Sequence, residues 1–180
     1  KTARGDLGSV FKVSAAKVEK ISSGHRNQQG IVLIGTDLYT AEHGPRGGDE
    51  LNLIKKGVDY GWPIVTYGQA YSSGDYVRPT RPGTHDGFEL PIYQWTPSVA
   101  ATELVQLPQT GDWGAWSSQL VMGTLKNESL IFIQLLSKER VGQVSAVDVG
   151  ERVRDLELLP NGKLLATTDS GKLLLIGGGA

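Results

Sequence analysis

Thr36-Asp37-Leu38-Tyr39-Thr40-Ala41-Glu42 has two counterparts later in the chain, Ser118-Gln119-Leu120-Val121-Met122-Gly123-Thr124 and Gly162-Lys163-Leu164-Leu165-Ala166-Thr167-Thr168. In each, a polar residue precedes Leu, an apolar residue follows it, and small residues close the segment. Each is preceded by another strand-like run, ending at Ile34, Leu107 and Leu159, and followed by a third near Leu51, Leu130 and Leu173. The repeated unit is a small antiparallel sheet. Leu120 and Leu164 stand 44 positions apart, a propeller-blade period, and Leu38 and Leu120 stand 82 apart, one period plus an insertion. An ordinary sandwich with similar strands also fits this pattern.

The rest of the chain agrees with an all-β reading. Its 24 glycines and 8 prolines punctuate short apolar runs, and a helical period nowhere persists for three turns. Strands are expected at 9–13, 30–34, 37–41, 50–54, 102–107, 119–123, 130–135, 153–158, 163–167 and 172–176. Residues 1–176 then form a single partial propeller of about three four-stranded blades. Residues 57–95 make a long loop-rich insertion, of a size that is usually functional, and residues 177–180 a disordered tail.

Composition narrows the function classes. With 180 residues there is room for one domain with a sizeable core. Eighteen basic against 19 acidic residues give a net charge of -1, which offers no argument for nucleic acid or an anionic membrane surface. The absence of cysteine excludes disulfides, thiolate catalysis and zinc-thiolate sites. No apolar run approaches the roughly 20 residues of a membrane-spanning helix. Lys1-Thr2-Ala3-Arg4 resembles neither a signal peptide nor a natural start, so the chain reads as processed, trimmed or cut from something longer.

One loop concentrates chemistry. Glu42-His43-Gly44-Pro45-Arg46-Gly47-Gly48-Asp49-Glu50 places a histidine, an arginine, three carboxylates, three glycines and a proline between two strands. Gly and Pro set a sharp turn that exposes backbone carbonyls, and carboxylates and carbonyls are the hard donors that calcium prefers. The loop is either a rigid seat for a cation or an anionic cofactor, or an elaborate turn. Strand ends at equivalent repeat positions converge in a propeller. Glu42, His43 and Asp49 should therefore meet Thr124 and Lys126, and Thr168 and Asp169, with Arg26, Asn27, Arg152 and Arg154 nearby.

Gly24-His25-Arg26-Asn27-Gln28-Gln29-Gly30, the Glu42 to Glu50 loop, Leu51-Asn52-Leu53-Ile54, Asp59-Tyr60-Gly61-Trp62-Pro63, Leu125-Lys126 and Arg152-Val153-Arg154-Asp155 resemble, in order, the soluble pyrroloquinoline quinone (PQQ) dependent aldose sugar dehydrogenases of the glucose/sorbosone dehydrogenase family. The resemblance implies a six-bladed propeller with PQQ and calcium in its channel, oxidising the C1 hydroxyl of aldoses by hydride transfer. It implies that the carbonyls of Gly44 and Pro45 ligate the calcium beside PQQ. It places His43, Asp49, Arg26, Asn27, Lys126, Arg152 and Arg154 around the cofactor, with Tyr93, Ser98 and Asp169 at weaker cofactor-side positions. Glu50 and the Tyr60 carbonyl match a structural calcium site. A tricarboxylic quinone accounts for the basic count, since Arg engages carboxylates bidentately and Lys adds a point charge.

The resemblance covers about the C-terminal half of such proteins, and the histidine expected to take the sugar proton belongs to the other half. None of His25, His43 and His85 occupies its position, so no catalytic residue is assigned. Trp62 and Pro63 are expected to pack within the insertion, Trp95, Trp113 and Trp116 to be core or rim aromatics, and His85 to be exposed to solvent. An open half-ring leaves two sheet faces to cover, by a homodimer closing the ring or by a missing N-terminal half. The family also implies a periplasmic or secreted location.

Overall fold

The computed structural model describes residues 6–72, 77–109 and 111–178. An N-terminal hairpin pairs β1 (Val10–Val13) with β2 (Val18–Ser23). The first full sheet contains β3 (Gln28–Ile34), β4 (Asp37–Glu42) and β5 (Asp49–Leu53). The chain then leaves this sheet for an irregular excursion carrying three two-residue strands, β6 (Val58–Asp59), β7 (Val65–Thr66) and β8 (Arg81–Pro82). It returns with β9 (Tyr93–Trp95), which pairs antiparallel with β5 as the fourth strand. The second sheet is β10 (Ala101–Gln106), β11 (Leu120–Thr124), β12 (Ser129–Ser137) and β13 (Arg140–Asp148), in that order. The third is β14 (Val153–Leu158), β15 (Leu164–Thr168) and β16 (Leu173–Ile176).

The sequence repeat is the second strand of each sheet: Leu38 lies in β4, Leu120 in β11 and Leu164 in β15. The 82-residue interval contains the excursion between β5 and β9. That excursion ends earlier than the sequence suggests, because Tyr93 and Trp95 alternate onto the sheet, pairing with Leu51 and Asp49, and Trp95 is buried. Of the tail, Gly177 and Gly178 are described and residues 179–180 lie outside the described residues; Gly178 lies against the Asp112 carbonyl.

Two cores stack the sheets. Tyr39, Ala41, Leu51, Leu53 and Trp95 of the first sheet pack against Leu104, Leu120, Met122, Ile131 and Ile133 of the second. On the other face, Val121, Leu130 and Phe132 meet Val153, Leu156, Leu164 and Ala166 of the third, with Trp113 alongside. The middle sheet is thus buried on both faces, which explains why β11 is apolar without alternation. Each fully buried Leu or Ile contributes about 1.5–3 kcal/mol. The first strands carry the close contacts, β10 packing against both β3 and β14. A Cβ on Gly30 would stand 2.5 Å from the Thr102 carbonyl oxygen, so only glycine lets β3 approach β10 this closely. Among the described residues no helix is long and apolar enough to cross a membrane.

Candidate cofactor and cation site

The shared direction of β4, β11 and β15 brings the predicted residues to one end of the sheets, joined by a continuous chain of contacts. Asp49, wholly buried, is its hub. Its Oδ2 accepts hydrogen bonds from Ser98 Oγ (2.7 Å), Val99 N (2.9 Å) and Ala100 N (2.7 Å), and its Oδ1 accepts from Gly44 N at 3.1 Å. Ala100 has φ 57°, a left-handed conformation that costs a non-glycine residue about 1–2 kcal/mol, and the carboxylate holds it there. Val99 O then accepts from Lys126 N (3.1 Å), and Leu125 O from Arg152 Nη1 (3.2 Å). Arg152 Nε donates to Asp169 Oδ2 (2.7 Å), which also receives Arg154 Nη2 (3.1 Å). The Arg154 and Arg152 guanidinium groups hold the Asp169 carboxyl below the usual range. Two half-exposed guanidiniums share this one carboxylate, and with Lys126 they leave the face net positive.

On the first sheet, Arg26 Nη1 donates to His43 O (3.1 Å) and its guanidinium lies 5.3 Å over the Trp62 ring. His43 N donates to Asn27 O at 3.0 Å. His43 Nε2 meets the Ala101 carbonyl at 2.5 Å; since a carbonyl only accepts, Nε2 carries a proton. Tyr93 stands apart from this group: it stacks edge-on with Trp95 at 4.8 Å and packs against the first core. Asp49 lies behind the loop as a buried staple, its carboxylate bonded to Gly44, Ser98, Val99 and Ala100.

The excursion clamps the 42–50 loop from the other side. Arg46 N donates to Gln69 O (2.9 Å) and Gln69 N to Arg46 O (3.1 Å), a two-residue antiparallel bridge. Tyr71 OH donates to Pro45 O at 3.1 Å. Gly48, at φ 67°, presses so closely on the excursion that a Cβ would meet Gly68 N at 2.3 Å. Above this seam opens a cavity of about 620 Å³ lined by Pro45, Arg46, Gly47, Gln69, Tyr71, Thr96, Pro97, Ser98 and Lys126. Arg46, Gln69 and Tyr71 escape sequence reasoning; the bridge that aims them is invisible in the local pattern.

Behind the loop lies a second, small compartment bordered by Arg26, Glu42, Gly44, Glu50, Tyr60 and His85. His85 is buried there, 3% exposed, contrary to its expected place in solvent, because Glu50 draws it in. Its Nδ1–H donates to Glu89 O (3.1 Å) and its Nε2 meets Glu50 Oε1 at 2.8 Å. Burial pulls the His85 pKa down, yet the bond to Glu50 and its charge outweigh burial and leave it raised. Glu42, beside Glu50, is pushed well up by burial and then by that neighbour's charge. Glu42 Oε2 lies 3.3 Å from His25 Nδ1 without an aligned hydrogen bond, and both atoms are buried without a partner, as is Asn52 Oδ1. His25 stacks on Tyr60 at 4.4 Å, bonds Ser22 Oγ through Nε2 (2.9 Å), and is lowered by burial to about 4.

An unpartnered carboxylate oxygen beside a second carboxylate suits a hard cation. Among the described residues no three His, Asp or Glu side chains converge as metal ligands, so carbonyls would have to complete the shell. The implied donors form two separate sets, the Gly44 and Pro45 carbonyls at one site and the Glu50 carboxylate with the Tyr60 carbonyl at another, and each set includes carbonyl oxygen.

A family model for Glucose / Sorbosone dehydrogenase matches residues 8–175. The chain is 34% identical over 177 residues to aldose sugar dehydrogenase YliI of Escherichia coli (strain K12), covering 95% of this chain and 47% of that protein. The crystal structure of the apo-form of the soluble E. coli aldose sugar dehydrogenase superposes with a TM-score of 0.79 at 32% identity, over 89% of this chain and 47% of that one. The PQQ-bound aldose sugar dehydrogenase of Streptomyces coelicolor gives 0.62 at 26% identity, over 87% and 44%. The chain therefore spans less than half the length of these relatives, and the fold shared with them is of the propeller type.

Proposed function

Because the chain belongs to the glucose/sorbosone dehydrogenase family, we propose that it forms the cofactor- and calcium-binding part of a PQQ-dependent aldose dehydrogenase. The observation that carries this reading is the convergence of Lys126, Arg152, Arg154 and the stapled 42–50 loop at one end of the sheets. Arg152 and Arg154 would hold cofactor carboxylates, Lys126 would add a point charge, and Arg26 and Asn27 would border the ring. The carbonyls of Gly44 and Pro45 would hold calcium against the cofactor, and Glu50 with the Tyr60 carbonyl a structural ion. PQQ, when bound, supplies the two-electron acceptor for the hydride of the sugar's C1 hydroxyl. The residues of this chain orient and neutralise; the proton of that hydroxyl needs a base within hydrogen-bond reach. His25 and His85 are committed to buried partners, and His43 to Ala101, so we assign the base to a group outside this chain. A periplasmic or secreted location accompanies the assignment.

The alternative is a propeller-derived module that binds a ligand without turnover, or that completes itself as a dimer; the committed histidines favour it. Titration of the purified chain with PQQ in millimolar calcium, followed by absorbance with a chelator control, separates the two. Calcium-dependent saturable binding is expected. A folded chain that binds no PQQ overturns the reading in favour of the non-catalytic module.

A further inference from the structure

Three of the four charged residues of the 42–50 loop that could neutralise one another are turned inward. Asp49 is spent on Gly44 and on residues 98–100, Glu50 on His85, and Glu42 is enclosed beside His25. Arg46 alone faces outward. Its backbone N–H and C=O are both bonded to Gln69, and residues paired in this way across an antiparallel bridge send their side chains to the same face. That face is the 620 Å³ cavity, which both residues line. Arg46 is thus aimed by its backbone, and neither it nor Lys126 forms an ion pair among the described residues. Around them stand Gln69, Tyr71, Thr96 and Ser98, with no carboxylate in the lining; the hydroxyl protons of Tyr71, Thr96 and Ser98 are already given to Pro45 O, Gln94 Oε1 and Asp49 Oδ2. A cavity with two unpaired cations and no acid in its lining favours a ligand that brings its own negative charge.

We propose that Arg46 is a substrate-selecting residue and that the sugar accepted here carries a carboxylate, as an aldose oxidised at its far end does. This rests on the reading of the cavity as the sugar pocket of a PQQ-dependent dehydrogenase. Lys126 and the Arg152–Arg154 pair serve the cofactor's carboxylates, and Arg46 is the remaining cation for a carboxylate on the sugar. A guanidinium matches a carboxylate bidentately, and one such charge-assisted contact in a partly enclosed cavity is worth about tenfold or more in affinity.

The test is calorimetric binding of sodium glucuronate against glucose to the purified chain with calcium, first alone and then with PQQ present, for wild type, Arg46→Gln and Lys126→Gln. Expected is about tenfold tighter binding of glucuronate than of glucose, weakening with salt. Arg46→Gln should abolish that preference while leaving the thermal midpoint and PQQ affinity within error. Equal affinity for the two sugars, or a preference that survives Arg46→Gln, overturns the proposal. Loss of PQQ affinity in Arg46→Gln with the sugar preference intact also overturns it, because Arg46 would then serve the cofactor. A glucuronate preference that depends on Arg46 in a chain that binds no PQQ upholds the proposal and defeats the cofactor reading instead.

Discussion

Removing the Asp49 carboxylate tests whether the loop is held from behind. It accepts four hydrogen bonds at zero exposure, three of them from the backbone N–H groups of Gly44, Val99 and Ala100 and one from Ser98 Oγ. Ser98 can turn its hydroxyl to solvent, but Val99 N is buried and loses its acceptor outright. Each stranded donor costs about 1–3 kcal/mol, and removing one partner of a buried charged network costs about 3–5 kcal/mol in total. Asp49→Ala should therefore destabilise the fold by about 3–5 kcal/mol, a large share of the 5–15 kcal/mol of an ordinary domain. Asp49→Asn keeps one acceptor oxygen, which can face Ser98, Val99 and Ala100, and opposes its amide only to Gly44 N; it should cost about 1–2 kcal/mol. Urea denaturation at neutral pH reads both. The order matters as much as the size, because loss of packing alone would spare Asn. An Asp49→Ala penalty under about 1 kcal/mol, or an Asn variant as damaged as the Ala variant, would refute the argument.

Two further outcomes follow from buried and exposed groups. The His25 pKa falls from 6.5 to about 4 in the fold, so between those values the unfolded chain takes up a proton the native state refuses, and this contribution to stability is lost as pH falls through the window. The raised Glu42 acts in the opposite sense, adding stability as pH falls. Comparing wild type with His25→Gln isolates the first effect: the stability difference should move against wild type by about 3 kcal/mol from pH 7 to pH 4, and a pH-independent difference would show that His25 titrates normally. If the chain completes its own ring, Leu173 and Leu175 on β16 (69% and 59% exposed) and Ile31 and Leu33 on β3 (56% and 63%) become an interface. Light scattering should then give about twice 19.3 kDa at micromolar concentration, and a monomer excludes the homodimer.

What could be read from the sequence is what depends on neighbours along the chain. The second strands were legible because burial imposes the same local order on each, polar then Leu then apolar then small, and β14 has the expected bounds, 153–158, to the residue. The hairpin strand β2 escaped because Glu19 and Lys20 interrupt it, their side chains paired with Lys17 and Lys56 and with Asp6 on an outer face. The outer strand β13 escaped for a related reason: none of its side chains is fully buried, so Gly142, Gln143 and Ser145 carry no penalty there and blur the alternation. The loop at 42–50 stands out by its composition as a candidate site, yet composition could not say which way each charge points. That direction is set by partners far along the chain: Ser98, Val99 and Ala100 for Asp49, His85 for Glu50, and Gln69 for Arg46. Each partner lies in the excursion or just beyond it, so the excursion decides which charges are enclosed and which one meets the ligand. A carboxylate-rich loop consequently presents a guanidinium to the cavity; composition left both a cation and an anionic cofactor open for this loop, and it is the fold that decides which charge faces outward.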